Sequence, residues 1–422
     1  MIELKSEFGL LNKKYALILT IWSFVCGFGC SLFGLDVVIH YLVIATVAST
    51  VFINPCLALG FFISASFLLN SASLQVIMLV SILLGFFLKN SSMIHLLKKG
   101  GLLLFGLIII AFSYLLGFEC DINTAILMTI CLLMVIILLN NRAFLTVDNI
   151  GMCIWGYIVR GGTVLFYLLG QAISGEISFY YGRLSYDGDI KLISVIVAIP
   201  IVLLLSVKLD KKRLYSNFDF GKFSYIIIAT FAIILLLTAA RGVLLAVVMS
   251  LLGQFLLSKR KRNFIMKILP IVILLIIFIT TNLDNPSFRL NRIFDSDDYS
   301  TGNGRTEIWG TYIELILDQG IVRFLFGLGP GNISRISNIG YYAHSTYLDF
   351  FFSYGILGFV VILISELTVL IKSLISEDLP MVTLFLLSII MYSTHGSSAD
   401  VVLFIFQVLI YLKVTGQQKI DE

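Results

Sequence analysis

The stretch "SKRKRNFIMKILPIVILLIIFITTN" (residues 258–282) shows the fold class of the chain in one segment. A basic cluster at 258–263 precedes an apolar run at 264–281, and a helix of about 20 apolar residues crosses the hydrocarbon core of a bilayer. Similar runs recur along all 422 residues, of which 59% are hydrophobic and 13% charged, whereas a soluble chain carries about 25% charged residues. The sequence therefore predicts an all-α, polytopic transmembrane helical bundle.

Polar breaks separate the apolar runs and define about 12–14 predicted spans. Their ranges are 16–34, 37–53, 56–70, 73–89, 101–118, 123–140, 150–171, 190–207, 223–240, 241–257, 264–281, 345–371, 379–393 and 398–413. No small-residue cleavage site follows the first run, so we interpret it as a retained helix and not as a signal peptide. Among the six cysteines, only Cys120 lies in a polar connection, which argues against a disulfide framework or a zinc site.

The distribution of Lys and Arg predicts the orientation of the spans. The strongest basic clusters, at 209–222 and 258–263, fall on one side of the alternation of spans, and positive residues collect in cytoplasmic loops. Both termini are then cytoplasmic, and the connection at 282–344 falls on the opposite side as a large periplasmic or extracellular loop. We predict a single membrane domain over 1–422 with this loop inserted between spans.

The large loop contains the extramembrane elements that the sequence predicts. "RTEIWGTYIELILDQG" (305–320) has apolar residues at the spacing of a short amphipathic helix, and "GLGPGN" (327–332) is typical of a turn. The preceding "DSDDYSTGNGRTE" is not a calcium loop, because Ser300 stands where glycine is needed and Thr306 where glutamate is needed. The sequence indicates no metal, no cofactor and no nucleic-acid partner.

Two arginines lie on the outer side, where charges next to a membrane are costly and usually functional. Arg241 lies at the join of two spans, and Arg305 opens the predicted loop helix. An arginine at a helix N-terminus opposes the macrodipole, but the backbone N–H groups and the guanidinium together suit an anion. The structural alternatives are a snorkelling or ion-paired Arg241 and a solvated Arg305.

Other polar residues at the outer side or inside spans are weaker candidates. Arg160 lies within a span, where structural pairing and substrate binding both stay open. Arg183 lies in an outer connection and is expected to make loop contacts, and His395 is expected at the interface. His344 and Asp349 are five residues apart, about 140° on a helix, so direct pairing is only weakly indicated. Asp349 is favoured as a hydrogen-bonding group between helices.

An ordered set of motifs resembles the O-antigen polymerase and ligase superfamily. The set comprises Arg241 after a span, "GRTEIW" (304–309), "FGLGPGN" (326–332) and "AHSTYLDFFFSYGILGF" (343–359). Members share many helices, one large external loop, and the order Arg, Arg-x-x-x-Trp, Gly-x-Gly, His-Asn-x-Tyr/Phe-Leu, Gly-x-x-Gly. The resemblance covers roughly 239–360. Two positions depart from it: Ser345 stands where the family commonly has Asn, and Ala240 where it usually has Ser.

The resemblance implies glycan transfer from an undecaprenyl-pyrophosphate donor in the cytoplasmic (inner) membrane. By position, Arg241 and Arg305 would hold the pyrophosphate, and His344 would act as general base on the attacking sugar hydroxyl. Two guanidinium groups can stabilise the charge that grows on a pyrophosphate leaving group, and a neutral histidine can accept a proton near pH 7. The reaction would be metal-independent and would invert the anomeric centre.

Further residues and partners complete this expectation. The candidate substrate-binding residues are Arg160, Arg183, Asp349, Tyr347 and Trp309. The expected partners are the undecaprenyl-pyrophosphate-linked oligosaccharide, membrane lipids, and a chain-length regulator and flippase of the same pathway.

Several alternatives stay open at this point. A repeat-unit polymerase is favoured over an O-antigen ligase, because the loop has few basic residues to receive a phosphorylated lipid A–core acceptor. A protein O-oligosaccharyltransferase is a minor option. A polysaccharide flippase or transporter would show two similar halves and charges near the midplane; the halves differ here, and Arg160 keeps this alternative open. A non-catalytic scaffold would tolerate loss of each charge singly.

Overall fold

The structure is a computed structural model, and almost all of the chain that it describes is helical. The described residues are 3–69, 72–88, 101–117, 122, 125–126, 128–130, 132–133, 147–180, 183–185, 190–209, 223–258, 261–283, 285, 290–291, 305–330, 345–375, 379–394, 405–407 and 409–410.

The chain divides into two compact units that alternate along the sequence. The first unit comprises 1–70, 144–294 and 376–387, and the second comprises 71–143, 295–375 and 388–422.

The first unit contains eight α-helices and one short hairpin among its described residues. They are α1 (Glu3–Ser31), α2 (Asp36–Ile53), α3 (Pro55–Ala65), α6 (Val147–Ser174), the strands β1 (Phe179–Tyr180) and β2 (Arg183–Leu184), α7 (Ile190–Leu209), α8 (Phe223–Thr238), α9 (Arg241–Leu257) and α10 (Lys261–Asn282). The two strands pair antiparallel, with Tyr180 opposite Arg183.

The second unit contains the helices α4 (Ala72–Leu88), α5 (Gly101–Leu116), α11 (Arg305–Asp318), α12 (Ile321–Phe326) and α13 (Thr346–Ile375). The helix α14 (Leu379–Thr394) contributes its residues from 388 onward to this unit.

The helices are apolar enough for a polytopic membrane protein, as the sequence predicted. Four of the described helices are long and apolar enough to cross a bilayer: α2, α6, α10 and α13. Eight shorter apolar helices accompany them, and many of their large apolar side chains are exposed on the outside of the fold. The chain is therefore an all-α integral membrane protein. Most residues of the predicted spans 123–140 and 398–413 lie outside the described residues.

The predicted span 56–70 is a short buried helix in the structure. Every residue of α3 is buried, and a 3₁₀ turn at Ser66–Leu68 ends it. The two pieces together rise about 20 Å, which is less than the roughly 30 Å of a hydrocarbon core. Asn54 is the N-cap of α3, because its side-chain oxygen accepts hydrogen bonds from the amides of Cys56 and Leu57.

Close helix contacts hold the interior of the first unit. Helix α6 packs along both α1 and α3. At the contact with α3, a side chain on Gly156 would lie 2.9 Å from the carbonyl oxygen of Gly60. Glycine at this crossing lets the two backbones touch, as small residues do between membrane helices.

In the second unit, the amphipathic helix α11 packs against α13. The predicted helix at 305–320 is confirmed, since α11 runs from Arg305 to Asp318. Its buried residues Tyr312 and Ile316 form a core with Phe352 of α13, and the rings of Tyr312 and Phe352 lie 4.8 Å apart. Among the apolar residues of the predicted helix, Ile308, Trp309, Tyr312 and Ile316 thus pack on this face, whereas Ile313 is exposed.

Candidate active site

Helix α13 is two helical arms joined by a sharp bend. Gly355 has φ 67° and ψ −170°, which no α-helical residue adopts. We call residues 346–354 the short arm and residues 356–375 the long arm. The long arm alone, at about 1.5 Å per residue, is long enough to cross a hydrocarbon core. The predicted span 345–371 is therefore divided by the structure.

The Gly-x-Gly motif is what stabilises the bend. The amides of Leu328 and Gly329 donate to the carbonyls of Phe352 and Ser353, at 2.7 and 3.1 Å. Because Gly355 is not helical, the carbonyls just before it lose their hydrogen-bond donors from the next turn of the helix. The amides of the motif replace those donors. The predicted turn at 327–332 thus has a structural function over its described part. We call this contact the glycine clasp.

Two glycines of the clasp approach each other so closely that no side chain fits. A Cβ on Gly327 would overlap the carbonyl of Ser353, and a Cβ on Gly355 would overlap the carbonyl of Leu325. Both glycines also have positive φ, 85° and 67°. The glycines that the sequence motif carries at 327 and 355 are therefore required by backbone contact and conformation.

The two arms of α13 fold back on each other. A straight helix would hold Tyr347 and Glu366 about 28 Å apart along its axis, yet the hydroxyl of Tyr347 donates to Oε2 of Glu366 at 2.5 Å. This bond is possible only because the bend at Gly355 turns the short arm back along the long arm.

The start of the short arm is the segment where the sequence placed the catalytic histidine. The amide of Asp349 donates to the carbonyl of Ser345 at 2.9 Å, which makes Ser345 the N-cap residue of the short arm. His344 is its immediate neighbour and lies outside the described residues. Because the helix begins at Thr346, the angle of about 140° expected between His344 and Asp349 on one helix does not apply.

The N-cap position explains one departure from the family motif. Ser and Asn are both among the residues preferred at an N-cap, so Ser345 can begin this helix as the family's Asn would. Asp349 is buried in the first turn, where a carboxylate is favoured by the helix dipole.

Arg305 is the first residue of α11 and is half-buried. Trp309, one turn later, packs with Leu348 of the short arm against the core of Tyr312, Ile316 and Phe352. Residues four apart share a helix face, so Arg305 lies on the side of α11 that meets the short arm. Within the second unit, the structure therefore brings the helix of Arg305 to the arm that follows His344. The ring of Trp309 has a packing role there.

Arg241 is the first residue of α9 in the first unit. It follows a tight turn in which Ala239 has φ 47°, a conformation that residues other than glycine rarely adopt. The amides of Val243 and Leu244 both donate to the carbonyl of Ala240. Like Arg305, Arg241 thus adds a guanidinium to the positive end of a helix, where anions are favoured.

Arg183 fixes the turn that precedes Arg241. Its Nε donates to the carbonyl of Thr238 at 2.9 Å, and its Nη2 donates to the carbonyl of Ala239 at 3.3 Å. These carbonyls belong to the C-terminal end of α8, where a cation is favoured by the helix dipole. The loop contacts expected for Arg183 are therefore present, and their target is the backbone next to Arg241.

Arg160 lies inside α6 and is 4% exposed. The next two residues are glycines at helix contacts: a side chain on Gly161 would lie 2.9 Å from both Pro200 and Phe231, and one on Gly162 would lie 3.0 Å from Ser23. Both glycines therefore lie where neighbouring helices approach closely.

The sequence reasoning missed Glu366, which is 6% exposed inside the long arm. The signal was available, because a carboxylate within an apolar run is costly in a membrane and is usually functional. The bend at Gly355 had a weaker signal, since a single glycine inside an apolar run does not predict a bend. His395 lies outside the described residues.

Comparisons with known proteins bear on the same part of the chain. Residues 226–363 match the sequence model of the family described as O-antigen ligase. The matched segment is about a third of the chain, and it contains Arg241, Arg305, the glycine clasp and the short arm. No curated protein matches the chain. This similarity supports a place for the integral membrane protein in the O-antigen ligase and polymerase superfamily.

Proposed function

We propose that the protein is a glycosyltransferase that polymerises undecaprenyl-pyrophosphate-linked repeat units into a surface polysaccharide, either O-antigen or capsule. The observation that carries the proposal is that Arg241 and Arg305 each begin a helix within the segment that matches the O-antigen ligase family. Such positions combine backbone N–H groups, the helix dipole and a guanidinium, which together suit a pyrophosphate.

The orientation of two helices supports an outer location for this chemistry. Residues 258–263, where α9 ends and α10 begins, carry four basic residues, and such clusters stay in the cytoplasm. Arg241 is at the opposite end of α9, and the large loop follows the opposite end of α10. If each helix crosses the membrane once, Arg241 and the loop lie on the same, outer side. This argument does not depend on how many spans precede α9.

The proposed reaction is one displacement at an anomeric carbon. The hydroxyl oxygen of the acceptor sugar attacks this carbon, and its proton passes to His344. The bond between the carbon and the pyrophosphate oxygen breaks, and undecaprenyl pyrophosphate leaves with its charge stabilised by Arg241 and Arg305. Attack opposite to the leaving group inverts the centre.

Within this proposal the remaining candidate residues have different roles. We assign Arg183 to holding the Arg241 turn, because two of its nitrogens donate to the backbone of that turn. Trp309 would link the helix of Arg305 to the short arm by packing. Arg160 and Asp349 remain candidate substrate contacts, whereas the hydroxyl of Tyr347 is bonded to Glu366 and is not assigned to the substrate.

An O-antigen ligase is the second candidate function. The observation that favours it is the description of the matched family. Both enzymes use the same donor and differ in the acceptor, which is the next lipid-linked repeat unit for the polymerase and a lipid A–core sugar for the ligase.

The test uses a strain that lacks the protein, complemented with wild type, Arg241→Ala, Arg305→Ala or His344→Ala at matched membrane levels. Surface glycan is displayed as a gel ladder, and lipid-linked intermediates are measured separately. We expect the null strain and all three variants to carry a single capped repeat unit. Arg323→Ala is a matched control, because Arg323 lies on α12 of the same loop and contacts Gln319 one turn away. His395→Ala is the corresponding control for a histidine, and both controls should give full ladders.

Two outcomes would change the conclusion. If full-length polymer accumulates on undecaprenyl pyrophosphate and does not reach lipid A–core, the protein is the ligase. Intact ladders in all three variants would exclude an enzymatic role for these residues.

A further inference from the structure

A buried cluster of four polar side chains lies beside the short arm. Oε2 of Glu366 accepts the hydroxyl of Tyr347 at 2.5 Å, and Oε1 accepts Nε2 of Gln407 at 3.2 Å. The same Nε2 lies 3.1 Å from Oγ of Ser388. We call Tyr347, Glu366, Ser388 and Gln407 the Glu366 cluster.

The cluster is placed where a carboxylate is most costly. Glu366 is 6% exposed, Gln407 is 6% exposed and Ser388 is fully buried, within segments that are otherwise apolar. A charged group in the membrane interior needs partners for its oxygens, and such groups are retained mostly where they serve a function. Both oxygens of Glu366 have partners, one from the short arm and one from the segment around Gln407.

The position of Tyr347 makes this bond relevant to the proposed base. Tyr347 is only three residues after His344, a chain length of at most about 10 Å. Fixing the Tyr347 side chain therefore restricts where His344 can lie. The rings of Tyr347 and Tyr392 also meet edge to face, with their centroids 6.1 Å apart, so this first turn is held both by a hydrogen bond and by packing.

Besides its packing on α11, the short arm is held by hydrogen bonds near each of its ends. The glycine clasp holds its last residues, at Phe352 and Ser353. The Glu366 cluster holds its first turn, at Tyr347. Without the cluster, the first turn of the arm would be held by its packing on α11 alone, and a displacement about Gly355 would be largest at the end that His344 precedes.

We propose that Glu366 is a positioning residue for glycan transfer: through the hydroxyl of Tyr347, it locks the short arm against the long arm and so sets the place of His344. This proposal rests on the proposed function, in which His344 is the general base. Glu366 itself does not touch the substrate or move a proton in this account.

The first experiment measures the lock without using activity. Spin labels are placed at Leu348 on the short arm, which is half-buried, and at Leu374 on the long arm, which is 45% exposed, after the native cysteines are replaced. The full-length protein in nanodiscs should give one narrow distance distribution. Tyr347→Phe and Glu366→Leu should broaden it and move it to longer distances. Ser365→Ala is the control, because Ser365 adjoins Glu366 and its hydroxyl donates to the carbonyl of Ile362 within its own helix.

The second experiment measures turnover of lipid-linked repeat units extracted from the null strain. A displaced catalytic group lowers kcat by about 10- to 100-fold, and we expect this loss for Tyr347→Phe and Glu366→Leu. KM should stay within about twofold, because an interaction that matters only for the chemical step leaves ground-state binding unchanged. Tyr347→Phe removes one hydroxyl and nothing else, so it remains informative if Glu366→Leu does not fold.

Glu366→Gln separates positioning from a role for the charge. Its amide oxygen can accept the Tyr347 hydroxyl, and its NH₂ group can donate to Gln407 once the amide of Gln407 turns over. Ser388 can then donate to Gln407, so every bond of the cluster can be remade without a charge. We expect Glu366→Gln to keep the narrow distance distribution and most of the turnover.

The outcomes separate this proposal from the proposed function. A narrow distribution with normal turnover in Glu366→Leu would overturn the lock. A narrow distribution with lost turnover in Glu366→Gln would show that the carboxylate acts by its charge, which also overturns it. If His344→Ala keeps full turnover, the proposed function fails, whereas the spin labels still report whether Glu366 holds the arm.

Discussion

The turn before Arg241 and the short arm are both fixed next to a proposed active-site residue, but by different kinds of contact. At the turn, one side chain, Arg183, donates to the last carbonyls of α8. At the short arm, a backbone clasp and a buried side-chain cluster act together, and their residues at 327–329, 366 and 407 lie far apart in sequence. Loss of the first contact should loosen one turn, whereas loss of the second should displace a whole helical arm.

The largest expected effect comes from breaking the clasp with Gly355→Ala. The alanine would be strained by the positive φ and would overlap with the carbonyl of Leu325. Together these two effects should lower the free energy of unfolding by about 2–5 kcal/mol. We expect a lower Tm of the solubilised protein in a thermal unfolding scan, together with loss of polymer in the complemented strain.

Gly310→Ala is the matched control for this substitution. Gly310 lies within α11, and a side chain there would meet nothing within 4 Å. Replacing a helical glycine by alanine should stabilise the protein by up to about 1 kcal/mol. If Gly355→Ala unfolds at the same temperature as wild type, the clasp is not what holds the bend.

The next largest effect is expected at Arg183, which holds the turn before Arg241. Arg183→Leu removes both bonds to the carbonyls of Thr238 and Ala239, and hydrogen bonds from a charged group contribute about 1.5–3 kcal/mol. Arg183→Lys keeps the charge but loses the planar fork that reaches two carbonyls at once. We expect the two variants to be similarly impaired in turnover of lipid-linked repeats, and less impaired than Arg241→Ala.

A different ranking would give Arg183 a different role. If Arg183→Lys keeps full turnover and only Arg183→Leu loses it, then the positive charge and not the backbone cap is required. Such a result would favour direct contact with the pyrophosphate, and a rise in KM for Arg183→Leu would accompany it.

A smaller effect is expected at Ser345, the N-cap of the short arm. Ser345→Ala should cost about 1 kcal/mol of unfolding free energy, because a preferred capping residue is lost. Ser345→Asn should leave stability within a few tenths of a kcal/mol, since both residues are good N-caps. The check is the Tm of each variant together with the length of the polymer ladder. A severe loss in Ser345→Asn would mean that the residue beside His344 acts through its hydroxyl.

The sequence predicts most of the helical architecture because the free-energy cost of placing a segment in a membrane depends on the residues of that segment. Apolar runs and polar breaks record this cost directly. The amphipathic helix that Arg305 begins also follows from periodicity alone, and its buried residues Tyr312 and Ile316 are those of the predicted stripe. The bend at Gly355 could not be predicted in this way. It depends on donors from Leu328 and Gly329, some 25 residues earlier, and hydropathy does not record such a pairing.

The sequence predicted which residues belong to the candidate site but not how they are arranged. The sequence predicted that Arg305 begins a helix that suits an anion, and in the structure Arg241 begins a helix as well. The roles of Arg183 and Glu366 depend on which backbone and side chains fold against them. A sequence shows that a carboxylate lies in an apolar run, but the tyrosine that bonds to it is 19 residues away and is brought close only by the bend.

The smallest expected effect, at Ala239, tests whether the turn before Arg241 is held by its cap or by its own residues. Ala239 has φ 47°, so glycine at this position should relieve strain of about 1–2 kcal/mol, less the roughly 0.4–1 kcal/mol that glycine costs through the unfolded chain. Ala239→Gly should therefore raise the Tm slightly. Ala240→Gly, at φ −84°, has no such strain to relieve and should lower it. Because Arg183 bonds to the carbonyls of Thr238 and Ala239 and not to a side chain, Ala239→Gly should keep normal turnover. A fall in turnover with the expected rise in Tm would mean that the cap alone does not fix Arg241, and that the stiffness of Ala239 contributes to its placement.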